Sequence, residues 1–346
     1  MTDPQPNPLL QLILARWRAF YREPSVLFWV FGFPILLSVG LGLAFRNRGP
    51  EPAEVAVLQG PGAAELAARL SADGTLHAQV LPTEQALVAL RTGKVSLLLL
   101  EQSPPTYRFD PQRPEARLAR ALTDHRLQVL AGRQDPLITR DQPVTEPGSR
   151  YIDFLLPGLL GANLMSGGMW GVGYALVELR TRKLLKRFMA TPMRRSHYLS
   201  AFLAVRLMAL AVELPLLLTF AWFAFGIGIR GSVVLFLLGV VLGSLAFSGL
   251  GLLVASRANN TQTVGGLMNL VMMPMYILSG VFFSASHFPD WMQPVITVLP
   301  LTALNDALRG VMIDGSGVSL VGLPLAILTG WGLVSFSLAL RLFRWR

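Results

Sequence analysis

The stretch Val177–Leu199, VELRTRKLLKRFMATPMRRSHYL, gathers seven lysines and arginines in a chain that is otherwise 52% hydrophobic and only 14% charged. Long apolar runs flank it on both sides. A cation at the centre of a spanning helix costs about 2.5–3.5 kcal/mol on insertion scales, so Lys and Arg collect in loops, preferentially cytoplasmic ones. The stretch therefore reads as a cytoplasmic connection between two membrane crossings.

The rest of the chain agrees with a polytopic membrane protein. The mean hydropathy is +0.50. A hydrocarbon core about 30 Å thick needs roughly 20 apolar helical residues, and six segments qualify: 25–45, 151–177, 199–225, 232–255, 264–283 and 318–340. With the amino terminus inside, Arg16, Arg18 and Arg22, the charged stretch, Arg257, and Arg341, Arg344 and Arg346 all fall on the cytoplasmic side, whereas the outer loop 226–231 has only Arg230. Both termini inside and an even number of crossings agree. The mostly polar segment 1–24, with an amphipathic helix, and the tail 341–346 are cytoplasmic, and the first apolar run is a retained anchor rather than a secretory leader. Prolines 34, 157, 215, 274 and 324 fall inside the spans, tolerable where neighbours satisfy the carbonyls they free.

Residues 46–150 are long enough to be translocated whatever their charge. VAVLQG, LHAQVL, VSLLLLE and YRFD read as strands, and AAELAARL, TEQALVALRTG and PEARLARALTDHRLQVLAG as helices, predicting an inserted α/β extracytoplasmic domain. Residues 284–317 are too proline-rich for a pair of spans. In LTALNDALRGVM, Leu301, Leu304, Leu308 and Val311 share one helical face, with Asn305, Asp306 and Arg309 opposite, which predicts re-entrant or interfacial helices at the outer leaflet.

The net charge of +10 is accounted for by cytoplasmic membrane edges, and no nucleic-acid recognition motif is present. Without cysteine there is no disulfide, thiol nucleophile or thiolate metal site. His77, His125, His197 and His287 are scattered, with no second ligand at metal spacing. No G-x-x-x-x-G-K-[ST] run exists, so this chain is not expected to hydrolyse nucleotide, and no G-x-S-x-G or H-E-x-x-H suggests a membrane hydrolase.

Within 178–198, Thr181, Leu184, Leu185, Phe188 and Met189 recur at helical spacing with the cations on the other face, and Thr191-Pro192 should end that helix. Its residues fit either an anchor on anionic lipid or a docking helix for a soluble partner. Here Glu178, a basic turn and Arg187-Phe188-Met189-Ala190-Thr191-Pro192 resemble the signature of ABC-2 type permeases, the membrane subunits of ATP-binding cassette exporters. A second likeness lies in LSGVFFSASHFPDWMQPVITVLPLTALNDALRG, 278–310, with its Ser-Gly, Phe-Pro, Trp, Leu-Pro-Leu-Thr and Ala-Leu-Arg. The α/β region after span one resembles the subfamily with a large domain there.

The resemblance implies that Glu178, Arg180, Arg182, Lys183, Lys186, Arg187, Thr191 and Pro192 couple to an ATPase subunit, and that Phe288, Pro289, Trp291, Pro300, Leu301, Ala307 and Arg309 form an outer gate or re-entrant motif. Members commonly carry Gly-Thr and a mid-helix glutamate where this chain has Thr181, Arg182 and Lys186, which implies a more acidic partner surface. Thr-Pro is also a plain helix stop, and an interfacial Trp an anchor.

Ionisable and amide groups inside the spans, Asn163, Arg206, Glu213 and Asn269, are further candidates. Glu213 lies two turns beyond Arg206, and a direct pair is not assumed. Asp153, at the outer edge, reads as solvated. Gly167 with Gly171, and Gly239 with Gly243, are small-xxx-small pairs that permit close helix approach.

Taken with the resemblance, the chain is expected to be an α-helical inner-membrane permease subunit exporting a lipophilic or amphipathic substrate. It would bind no cofactor or metal itself, ATP and Mg²⁺ being held by a separate pair of ATPase subunits, and it would pair with a second permease copy or a related one in the lipid. The competing reading is a membrane receptor or assembly protein with a ligand-binding ectodomain.

Overall fold

The computed structural model describes residues 8–44, 52–100, 104–134, 137, 140, 148, 150–183, 195–258 and 260–342. They divide into two compact units, Asn47–Pro143 and the remainder of the chain.

The larger unit begins with α1 (Pro8–Tyr21), then α2 (Pro24–Leu27), a π-helical turn Phe28–Gly32, and α3 (Phe33–Ala44). Helix α1 packs against the later helix Arg195–Phe225: Leu12 is buried and the Arg16 guanidinium lies 3.1 Å from the Phe202 ring centroid.

The smaller unit is a four-stranded sheet. It runs β1 (Ala53–Leu58), α4 (Ala63–Ser71), β2 (Leu76–Leu81), α5 (Thr83–Thr92), β3 (Leu97–Leu100), β4 (Thr106–Arg108) and α6 (Pro114–Leu130). The strand order is β2-β1-β3-β4, with β1 parallel to β2 and β3, and β4 antiparallel to β3. Alternation along β1 sends Val55 and Val57 to one face, packed with α4 and Leu70, and Ala56 to the other, packed with Ala86 and Ala89 of α5. Helix α5 stops at Gly93, whose φ of +76° suits only a residue without Cβ and whose N–H returns to the Ala89 and Leu90 carbonyls. Tyr107 donates to Asp124 Oδ1 at 3.0 Å.

The larger unit resumes with α7 (Tyr151–Gly168), a π-helical turn Met169–Tyr174 and α8 (Ala175–Thr181). Then follow α9 (Arg195–Phe225), α10 (Val233–Ala255), α11 (Thr261–Leu278), α12 (Gln293–Val298), α13 (Pro300–Met312) and α14 (Val318–Leu342). By length and composition Ala201–Phe225, Val233–Ala255 and Val318–Leu342 can each cross a membrane, and the pair Asp290–Val298 and Pro300–Met312, bent by 82°, makes a fourth candidate if it counts as one span. The other expected crossings occur as helix broken by π turns (24–44 and 151–181) and as the 18-residue α11.

Three sequence expectations change here. Helix α13 is buried in the bundle: Leu301, Leu304, Leu308 and Val311 are covered, but so is Asn305, expected on the opposite polar face. Asp153 is buried at 2% exposure and accepts from Gly148 N, from Arg150 N and from the Arg150 guanidinium, so it caps α7. Of the two expected glycine pairs, Gly239 and Gly243 do meet neighbouring helices, a Cβ on Gly243 lying 2.8 Å from Leu304 Cδ1 and one on Gly239 3.6 Å from Leu325 Cδ2, but the closest backbone approaches use other glycines. A Cβ on Gly168 would lie 2.7 Å from Phe247 Cβ, one on Gly251 2.9 Å from Met169 Cα, and one on Gly173 would strike the Gly251 carbonyl. Gly171 faces open space.

Gly173→Ala should therefore destabilise the detergent-solubilised protein by about 1–3 kcal/mol, the usual cost of overpacking, while Gly171→Ala leaves its melting unchanged; equal melting of the two would refute this packing. In the sheet unit, burial and the bond to Asp124 push Tyr107 up to about 12. The fold favours the protonated phenol, so its contribution is present below the ordinary value near 10 and is lost as pH rises through the folded value. Phenolate absorbance of the wild type minus that of Tyr107→Phe should show one step near 12, and a step near 10 would contradict the burial.

Candidate functional site

Proline 34 has no N–H, so the carbonyl of Val30, four residues earlier and inside the first π turn, loses its helical partner. Asn163 of α7 supplies one: its Nδ2 donates to Val30 O at 3.3 Å and to Glu213 Oε1 at 2.6 Å. The other Glu213 oxygen accepts from Arg206 Nη1 at 2.9 Å. Arg206 and Glu213 are 6% and 1% exposed, so this is an ion pair inside an apolar bundle. The two lie on α9 seven residues apart, about 10.5 Å along the axis, and the direct pair not assumed from spacing forms because the extended arginine covers that distance.

Gly167 makes it possible. A Cβ there would sit 2.5 Å from Arg206 Cζ, so the first glycine of the presumed Gly167/Gly171 packing pair instead seats the guanidinium. Arg206 Nε and Nη2 are buried and have no hydrogen-bond partner among the described residues. Among the described residues Glu213 is thus the one counter-charge paired with Arg206, and its loss would leave a buried cation uncompensated.

The second cluster surrounds the bend between α12 and α13. Arg309 Nε and Nη2 both donate to Phe154 O at 3.2 Å, Nη2 also donates to Gly280 O, and Cζ lies 3.7 Å from the Phe154 ring centroid. Asn305 Nδ2 donates to Ser279 O at 2.8 Å, and Trp331 Nε1 to Val298 O at 2.8 Å, at the bend itself. Side chains of α13 and α14 thereby satisfy carbonyls left free where α11 and α12 end. Pro300, Leu301 and Ala307 are buried in this cluster, whereas Pro289 and Trp291 are exposed and Phe288, half-buried, meets Phe283 in a tilted contact with ring centroids 5.8 Å apart. The residues grouped in sequence as one outer motif are therefore separated into a buried clamp and an exposed turn.

On the expected ATPase side, Glu178 lies in the first turn of α8 and pairs with Arg182 at 2.7 Å, an exposed i,i+4 contact of small energetic weight. Arg180 Nη1 donates to Ala258 O at 3.0 Å, tying α8 to the residues after α10. Lys183 has φ +58°, so the helix expected to run from Glu178 to Ala190 stops near Thr181. Lys186, Arg187, Thr191 and Pro192 lie outside the described residues. Asn269, expected to bond another span, is exposed on α11 with no hydrogen-bond partner among the described residues. Among those residues no group of three or more His, Asp or Glu could hold a metal ion.

Trp331, Ser166 (Oγ 2.5 Å from Tyr276 Oη), Gly173 and Gly251 escaped the sequence reading, and Asn305 was read there only as part of a polar face. One signal was present for Asn163, the carbonyl that Pro34 must free four residues before itself.

A double-mutant cycle tests the ion pair. Arg206→Met and Glu213→Met singly should each cost about 3–5 kcal/mol by stranding a charge, and the double variant should recover most of it; additive losses would show that the pair is not coupled. Arg309→Lys should lower stability as well, because an ammonium cannot serve the Phe154 carbonyl, its ring and the Gly280 carbonyl together; wild-type melting would contradict that clamp.

Comparison with known proteins bears on both clusters. The family model described as "ABC-2 family transporter protein" matches residues 24–341. The chain is 30% identical over 174 residues to "ABC transporter G family member 20" of Dictyostelium discoideum, covering 50% of this chain and 24% of that protein. It is 26% identical over 173 residues to the "Inner membrane transport permease YhhJ" of Escherichia coli K12, covering 50% and 46%. Over 208 residues it is 22% identical to that bacterium's "Probable multidrug ABC transporter permease YbhR", covering 59% and 56%. The chain thus spans about half or less of the length of these relatives. The family match takes in every helix from α3 to α13, and with them both polar clusters: the chain belongs to the ABC-2 family of transporter proteins.

Proposed function

We propose that this chain is the permease subunit of an ATP-driven exporter. The observation that carries the reading is the family match across residues 24–341, which includes the basic stretch between α8 and α9. In this reading the bundle crosses the membrane six times with both termini inside, the sheet unit lies on the outer side, and Glu178–Pro192 meets a separate ATPase subunit that holds ATP and Mg²⁺. The ion pair and Asn163, joining α2–α3, α7 and α9, make those three helices move as a block when the ATPase closes. ATP-bound closure then favours one arrangement of the spans over another.

A second permease, identical or related, completes the transporter. Asn269 supports this, because an amide exposed on a span helix finds no hydrogen bond in lipid, whereas a facing chain can supply one. A lipophilic or amphipathic substrate fits the apolar helix surfaces, and one relative is named as a probable multidrug permease.

Reversing charge at Arg182, Lys183 and Lys186 together should abolish co-purification of the ATPase while the chain still inserts and melts normally. Unchanged ATPase recovery would remove the coupling role from these residues, and the reproducible absence of any ATPase with the wild type would favour a receptor or assembly role instead.

A further inference from the structure

The sheet unit carries a concentration of charge that the transport reading leaves unused. Between residues 91 and 120, the described residues hold six cations, Arg91, Lys94, Arg108, Arg113, Arg117 and Arg120, against two carboxylates, Asp110 and Glu115. The fold brings Lys94, Arg113, Arg117 and Arg120 together. Arg108 is not one of this group, because its register with Leu98 puts it on the α5 face of the sheet while Tyr107 faces α6. The Arg113 guanidinium lies 3.3 Å from where a Cβ on Gly93 would stand, so the glycine that stops α5 also leaves room for an arginine next to Lys94. Arg113, Arg117 and Arg120 then follow at i, i+4 and i+7 along one face of α6.

Neutral groups hold these arginines in place. Arg117 Nε donates to the Pro111 carbonyl, and Arg120 Cζ stands 5.4 Å from the Tyr107 ring centroid. None of the six cations has an ion-pair partner among the described residues. Asp110 is occupied in accepting from Gln112 N at 2.9 Å, and Glu115, two residues after Arg113, projects from the far side of α6. Asp124, one turn beyond Arg120, accepts from Tyr107 Oη and Gln128 Nε2, and the result is a row of forked donors with no ion-pair partner among the described residues.

Chain length decides what meets it. Strand β1 begins nine residues after α3 ends, and at about 3.3–3.6 Å per residue that connection keeps the start of β1 within roughly 30 Å of the end of α3. We propose that this basic row docks on phosphate-bearing anionic headgroups of the membrane that holds the bundle. Guanidinium forks match phosphate oxygens, and the attraction of a basic cluster to an anionic leaflet fades within a Debye length. The inference rests on the membrane-embedded part of the proposed function and not on the ATPase.

The test uses the purified full chain in nanodiscs of phosphatidylcholine, alone or mixed with anionic phosphatidylglycerol. Phenylglyoxal modification of individual arginines is followed by mass spectrometry. At low salt the anionic lipid should slow modification of Arg113, Arg117 and Arg120 several-fold, leave the exposed Arg69 on α4 unaffected, and lose its effect at high salt. In the variant Arg117→Gln with Arg120→Gln, protection of Arg113 should weaken. Equal rates in the two lipids, or protection that appears only when a soluble acidic protein is added, would overturn the proposal. A chain that recruits no ATPase yet shows this protection would lose the transport reading and keep this one.

Discussion

A hydrocarbon surrounding offers no hydrogen bonds, so every polar group inside the bundle must find its partner within the protein. That constraint accounts for several of the larger unit's polar side chains. Pro34 frees the Val30 carbonyl and Asn163 takes it up. Carbonyls at the end of α11 and at the 82° bend before α13 go to Asn305, Arg309 and Trp331. Arg206 and Glu213 neutralise one another over two turns of a single helix. A buried pair of this kind adds little net stability against an apolar alternative, but it is costly to break, and that fixes which helices stay together.

Shape follows from the same economy of groups. Glycines at the contacts decide how close the helices come. Gly168, Gly173 and Gly251 let α7, its π turn and α10 approach until backbones touch, while Gly167, in the same run, leaves a seat for a guanidinium. The π turns at Phe28–Gly32 and Met169–Tyr174 interrupt two apolar helices, one next to the polar cluster and the other between it and Glu178. A helix that is already irregular at such a point is where a displacement of α8 would be absorbed or passed on to Asn163 and Arg206.

Much of this was legible in the sequence, for identifiable reasons. Apolar runs and the placement of Arg and Lys report membrane helices directly, and period-2 alternation in VAVLQG against helical spacing in AAELAARL gives a strand–helix order that needs no tertiary knowledge. What stayed hidden depends on a second chain segment. The Arg206–Glu213 pair requires a glycine on α7, the burial of Asn305 requires the Ser279 carbonyl, and the packing of Gly168, Gly173 and Gly251 is known only once α7 and α10 are placed side by side. Hydrophobic spacing alone put Asn305 on a solvated polar face, because a helix with one apolar face looks alike whether its polar face meets water or the carbonyls of its neighbours.

The absence of native cysteine makes one measurement decisive for the arrangement as a whole. Single cysteines would replace His77, Arg182, Arg230 and Arg257, each exposed in the structure, and intact cells would be treated with a membrane-impermeant thiol reagent before and after permeabilisation. Six crossings with the sheet unit outside require labelling at positions 77 and 230 in intact cells, and at 182 and 257 only after permeabilisation. Labelling of 77 and 182 from the same side would contradict that arrangement and, with it, the assignment of the basic stretch to the ATPase side.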